Sequence, residues 1–126
     1  MSSNSSLLFT KEHEWLDMDN NEAKVGITNF AQGELGDIIF VELPDVGDSF
    51  EKDDVFGTIE AVKTVADLFM PVSGEIISIN SNIEDNPELI NTDPHNDGWI
   101  IKIKIKDSSE VKSLLTEDKY KDLINV

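Results

Sequence analysis

Lys63 stands out as a candidate for chemistry. It lies in Glu60-Ala61-Val62-Lys63-Thr64-Val65-Ala66-Asp67, with carboxylates on both sides. No lysine occurs from Thr64 to Ile101, so Lys63 is an isolated cation on an acidic stretch. Such a lysine is either an ordinary solvated side chain or a position selected for its amine. Glu60 and Asp67 form the nearest carboxylate pair, the raw material of acid–base hydrolysis. That chemistry needs a pocket that tunes an acid and a base apart, and an exposed loop supplies none. His13 and His95 are far apart in sequence, and a metal reading would need ligands converging from elsewhere. There is no cysteine, hence no thiol nucleophile, disulfide or cysteine zinc site.

The elements around Lys63 admit two readings. Val55 to Met70 carries Val55, Ile59, Val62, Ala66 and Phe69 at near-helical spacing. It is also rich in β-branched residues, and Gly57 would cost a helix interior about 1 kcal/mol. As a hairpin with Val62-Lys63 at its tip, Ala61 faces Thr64, Ile59 faces Ala66 and Gly57 faces Leu68 on an apolar face. Glu60 then pairs with Val65, and Thr58 with Asp67, on the other face. Val-Lys is poor chemistry for a two-residue hairpin loop, which normally takes Asn-Gly or Asp-Gly. An unfavourable choice at an exposed tip points to selection for function.

The rest of the chain supports a small β structure. Its 126 residues bound a single domain with a modest core. Residues 1–8 read as a frayed end and 9–126 as the domain. Trp15-Leu16 and Ala23–Ile27 read as a hairpin. Thr28 caps a short helix from Asn29 to Gln32, ended by Gly33 or Gly36. Ile38–Val41 is a buried-type strand stopped by Pro44. Glu75–Ile79 and the alternating run Trp99–Lys106 are further strands. Residues 80–97 read as an asparagine-rich, solvated loop. Ser108 or Ser109 caps one C-terminal helix and Thr116 a second, with Tyr120, Leu123 and Ile124 on one face. Phe40, Leu43, Ile59, Ile76, Ile101 and Ile103 are core candidates, and Trp15 and Trp99 core or cleft-wall residues. His13 reads as structural or at a cleft edge, His95 as a surface residue. The fold class is mainly β, a sandwich or barrel with short helices and a helical C-terminus.

Charge narrows the partners. Ten lysines, no arginine and 26 acidic residues give a net charge of -16. Such a polyanion is repelled by nucleic acid and by anionic membranes. No apolar run is long enough to cross a membrane as a helix. The start MSSNSSLL has no basic segment, so neither a secretory signal nor a transit peptide is expected. The expected setting is cytoplasmic, with a processed mitochondrial-matrix form as the alternative.

From Phe9 to Ile124 the chain resembles the glycine cleavage system H-protein family. The motifs that carry this run in order. His13-Glu14-Trp15, Gly26-Ile27-Thr28, Ala31-Gln32 and Leu35-Gly36 come first. Phe40-Val41-Glu42-Leu43-Pro44, Gly57 and Glu60-Ala61-Val62-Lys63 follow. Pro71-Val72-Ser73-Gly74-Glu75, Pro87-Glu88-Leu89-Ile90-Asn91, Asp97-Gly98-Trp99 and Ile101-Lys102-Ile103 complete the series. The resemblance implies a lipoyl/biotinyl-like flattened β-barrel, a barrel-sandwich hybrid, and favours the hairpin. It implies lipoic acid amide-linked to Lys63, with Glu60 and Val62 read by the attaching enzyme. It implies a non-catalytic, monomeric carrier of the aminomethyl group of glycine. The implied partners are a pyridoxal-phosphate glycine decarboxylase, a tetrahydrofolate-dependent aminomethyltransferase, dihydrolipoamide dehydrogenase and lipoate- or octanoate-attaching enzymes. Glu14 and Asp67 match family positions beside a cleft that shields the cargo. Glu12 and Glu34 stand where some members carry other polar residues. Family members often have serine and alanine where this chain has Ala61 and Thr64.

Other readings remain at this level. A biotin carrier has a similar barrel, but its lysine usually sits between methionines, not between Val62 and Thr64. A relay passing the acyl arm to other lipoyl-dependent enzymes, and an unmodified acidic interaction module, are also compatible with the sequence.

Overall fold

The structure, a computed structural model, describes residues 7–124. Among these residues run nine strands and four short α-helices: β1 Leu7–Phe9, β2 Glu14–Asp19, β3 Glu22–Ile27, α1 Asn29–Leu35, β4 Ile38–Glu42, β5 Ser49–Phe50, β6 Val55–Ala61, β7 Val65–Phe69, β8 Gly74–Ile79, α2 Asn82–Asp85, α3 Leu89–Thr92, β9 Ile101–Ile105 and α4 Glu117–Ile124. They form two sheets with antiparallel pairings, a six-stranded one ordered β1-β2-β3-β9-β8-β5 and a three-stranded one ordered β4-β6-β7. The two make a flattened, open barrel-sandwich. Leu16, Val25, Ile59, Ile76, Ile101 and Ile103 are fully buried in the core. In β9, Ile101 and Ile103 enter this core while Lys102 and Lys104 stay outside. Lys102 there pairs with Glu22 at 3.3 Å. The alternation read from the sequence is thus a half-buried strand.

Several expectations change. Leu7 and Leu8 belong to β1, paired with Asp17 and Leu16, so the ordered domain starts before Phe9. Residues 1–6 of the expected frayed end lie outside the described residues. β4 is not simply buried. The register slips between Ile38 and Phe40, and this bulge turns Ile39 and Phe40 both outward. Phe40 is therefore not a core residue, and Leu43 is only half-buried. Residues 80–97 are not a plain loop, because α2 and α3 bury Ile83 and Ile90. Asn80 is buried too, its amide donating to the carbonyls of Asp97 and Trp99 at 2.9 and 2.7 Å. Ser108–Ser113 is a 3-10 turn capped by Asp107, not by a serine. Among the described residues no helix is long and apolar enough to cross a membrane.

Candidate functional site

β6 and β7 form the hairpin. Gly57 pairs with Leu68, Thr58 with Asp67, Ile59 with Ala66 and Glu60 with Val65. The Ala61 N–H donates to the Thr64 carbonyl at 2.8 Å, leaving Val62 and Lys63 at the tip. Neither adopts a positive φ, so this is not the primed turn that hairpins favour. Support comes from outside instead: the Val62 N–H donates to the Asp37 carbonyl at 3.0 Å. That staple holds the tip against the loop that follows α1. Gly57 is fixed by packing, since a Cβ there would lie 2.5 Å from the Glu42 carbonyl oxygen.

Lys63 is exposed and, among the described residues, forms no ion pair. Its stem lies along the end of α1. A Cβ on Gly36 would be 3.4 Å from Lys63 Cε, and Gly36 holds φ +80°, where side chains are strained. The lysine thus sits over a saddle at the C-terminus of α1.

Beside this saddle a cleft of about 390 Å³ opens between α1 and β7. Ile59, Ala66 and Leu68 give it an apolar side, and Phe30, Ala31 and Leu35 line it from α1. Four carboxylates line it (Glu12, Glu14, Glu34 and Asp67) and no lysine does. Glu14 and Asp67, the two cargo candidates, therefore share one cleft. Glu60 does not line it; its pairing with Val65 lies one nearer the tip than the Ile59–Ala66 pairing that does.

Glu14 is the buried carboxylate, only 2 % exposed. One oxygen accepts from the Thr10 hydroxyl at 2.6 Å and the other from the Phe69 N–H at 3.2 Å. Thr10 Oγ1 itself accepts the Glu12 and Glu14 N–H groups, which commits its proton to Glu14. Burial pushes the Glu14 carboxyl up from 4.5 to about 7, against these two hydrogen bonds.

A hydroxyl chain braces the cleft from behind. His13, at φ +70°, places Nδ1 2.8 Å from the Tyr120 hydroxyl. That hydroxyl is also 2.7 Å from Thr28 Oγ1, and Thr28 caps α1 by accepting the Ala31 N–H. Burial pushes the Tyr120 hydroxyl up, which keeps it protonated. His13 is thus the expected cleft-edge residue. His95 is exposed, yet its Nε2 accepts the Asn29 N–H at 3.1 Å and burial lowers its basicity. Thr10 and Tyr120 were not legible as site residues. Tyr120 is the sole tyrosine on an amphipathic helix, but its partners lie about a hundred residues away. Among the described residues no group of three His, Cys, Asp or Glu converges as a metal site.

Comparison with known proteins decides the family. Residues 7–126 match the family model described as glycine cleavage H-protein. The chain belongs to the glycine cleavage H-protein family. A glycine cleavage system H protein of Bacillus cereus (strain G9842) is 48 % identical over 125 residues, 99 % of this chain and 98 % of that protein. One from Bacillus anthracis (strain A0248) is 47 % identical with the same coverage. The crystal structure of a glycine cleavage system H protein from Mycobacterium marinum superposes with a TM-score of 0.87 at 33 % identity, covering 97 % of this chain and 98 % of that one. The span matched to the H-protein family contains the hairpin tip, both cleft walls and α4. A lipoyl group would fit the H-protein site found here. Lys63 offers an amine with no ion pair among the described residues, and the apolar side of the cleft offers cover for an aliphatic chain.

Proposed function

We propose that this H-protein family member is the lipoyl-bearing carrier of the glycine cleavage system, with lipoic acid amide-linked to Lys63. It would take the aminomethyl group of glycine from the pyridoxal-phosphate decarboxylase to the tetrahydrofolate-dependent aminomethyltransferase, and dihydrolipoamide dehydrogenase would restore the disulfide. The lipoyl group supplies the two sulfurs that a cysteine-free chain lacks. The chain itself catalyses nothing; it presents, shields and releases. The observation that carries this reading is the exposed Lys63 at a stapled tip beside an acidic, apolar-lined cleft.

Lengths support it. A lipoylated lysine spans about 14 Å. Asp67 lies four residues along β7 from Lys63, roughly 13 Å at the rise of a strand. The arm therefore reaches the acidic part of the cleft. A cationic amine held there is attracted to Asp67 and draws Glu14 toward its ionised form. Amide formation also removes the Lys63 charge and takes the net charge of -16 to about -17. Bacterial relatives support a cytoplasmic setting over the mitochondrial one.

Intact-mass analysis tests the reading. Coexpression with a lipoate-attaching system should add one lipoyl mass to the wild type and none to Lys63→Ala. A wild type that stays unmodified removes the proposal's support. The hydrolase reading is disfavoured because Glu60 lies outside the cleft that Asp67 lines.

A further inference from the structure

Asn91 does not line the cleft, yet it holds the backbone on which the hairpin tip rests. It closes the motif Pro87-Glu88-Leu89-Ile90-Asn91 and sits on α3, which buries Ile90 in the core. From this base its carboxamide makes three hydrogen bonds. Oδ1 accepts the Ile38 N–H at 3.0 Å. Nδ2 donates to the Gly36 carbonyl at 2.9 Å and to Gln32 Oε1 at 3.0 Å. A backbone N–H can only donate and a carbonyl only accept, so these partners fix which end of the amide is oxygen.

The two backbone contacts fall on either side of Asp37. The Asp37 carbonyl and the Ile38 N–H belong to one peptide group. No cis peptide occurs among the described residues, and in a trans peptide these two point in opposite directions. Asn91 therefore grips the N–H end of the group whose carbonyl end accepts the Val62 N–H at the tip, at 3.0 Å. The preceding carbonyl, that of Gly36, is held by Nδ2, and the Lys63 stem lies over Gly36. One side chain thus sets both the acceptor that staples the tip and the saddle under the lysine. Asp37 and Val62 are both exposed, so little packing holds the staple closed.

We propose that Asn91 is a positioning residue for the carrier arm: it orients the Asp37 peptide, and through it holds the Lys63 stem in line with the cleft. The proposal rests on the lipoyl-carrier reading and adds what aims the arm. Fixing the first bonds of a long flexible arm raises the share of time that its far end spends in the cleft, without shortening its reach. The loaded group reports this. In water R–S–CH2–NH3+ takes up H2O, its C–S and C–N bonds break, and R–SH, formaldehyde and NH4+ are released. A group that spends more time outside the cleft meets water more often.

The test uses the full chain, lipoylated on Lys63 and then loaded from glycine by the decarboxylase. Hydrogen exchange at the Val62 N–H, read before loading, reports the staple. Formaldehyde release after loading gives the half-life of the group. Asn91→Ala should speed the exchange and shorten the half-life, each about fivefold, the effect of one hydrogen bond. Asn91→Asp keeps an acceptor for the Ile38 N–H and loses both donors. It should fall between Asn91→Ala and the wild type in both readouts, and it carries the test if Asn91→Ala does not fold. Ser73→Ala is the control, beyond β7 at the end of the hairpin away from the tip. It deletes a hydroxyl that donates to Glu110 and accepts the Lys52 N–H. It should lower stability in urea and leave both readouts at wild-type values. Unchanged exchange at Val62 in Asn91→Ala overturns the grip on the peptide. Faster exchange with an unchanged half-life, or an equal shortening in Ser73→Ala, overturns the aiming of the arm. A lipoylated wild type that takes up no aminomethyl group overturns the carrier reading instead, while exchange at Val62 still decides the grip.

Discussion

Glu14 shows what one buried carboxyl does to this molecule. Its carboxyl is held up near 7 by burial, while in the unfolded chain it ionises near 4.5. Between those values the folded state holds more protons than the unfolded state. Folding stability therefore falls as pH rises from 4.5 to about 7 and does not change further through this group above that. The full effect is about 3 kcal/mol. Glu14→Gln has no such titration. It should be more stable than the wild type at pH 8 and close to it at pH 4.5, measured as the difference in urea unfolding. A constant difference across that range would show that Glu14 is not the titrating group. Nearby Glu12 and Asp53 push in the same direction as burial.

At the scale of elements, three pieces from distant parts of the chain make one site. The hairpin supplies the lysine, α1 the facing wall, and α4 the brace behind it. Gly57 lets β4 approach β6, and Gly57→Ala forces a Cβ within 2.5 Å of the Glu42 oxygen. It should cost about 2–3 kcal/mol in chemical denaturation, with the tip displaced. Tyr120→Phe keeps the stack on Phe9, whose ring centroid is 4.7 Å away, but deletes the hydroxyl shared by His13 and Thr28. We expect a loss of about 1–2 kcal/mol. Faster hydrogen exchange at Ala31 and Gln32 should accompany it, because α1 loses the support of its cap. Unchanged exchange there would separate α4 from the cleft. Spacing left a helix and a hairpin open and the family resemblance favoured the hairpin; within that reading the register was legible, since side chains alternate with period two and the tip sets the phase. Phe40 was misread because the bulge at Ile39 breaks that alternation.

For the whole molecule, the net charge of -16 is a statement about encounters. The ion pairs Lys52–Asp53, Lys102–Glu22 and Lys121–Glu117 each have partly exposed partners. They contribute little to stability, and most of the acidic charge is left facing solvent. Association with basic-rimmed partners should be fast and salt-sensitive. Stopped-flow oxidation of the dithiol form of the lipoylated chain by dihydrolipoamide dehydrogenase, whose oxidised flavin takes the two electrons, should slow by about tenfold or more as salt screens the surfaces. A second-order rate constant indifferent to salt would remove steering from the account. The hairpin under Lys63 was read from the family resemblance, whereas the sequence by itself determined the charge, the absence of thiols and the strand alternation. These are local or compositional properties, and spacing along the chain records them. Only the tertiary structure decided that Glu14 is buried and that Asp67 shares its cleft. It also decided that Tyr120 braces the cleft wall and that Phe40 faces outward beside Glu60. Each depends on segments far apart in sequence meeting in space, or on one inserted residue shifting a register, and no local period encodes either.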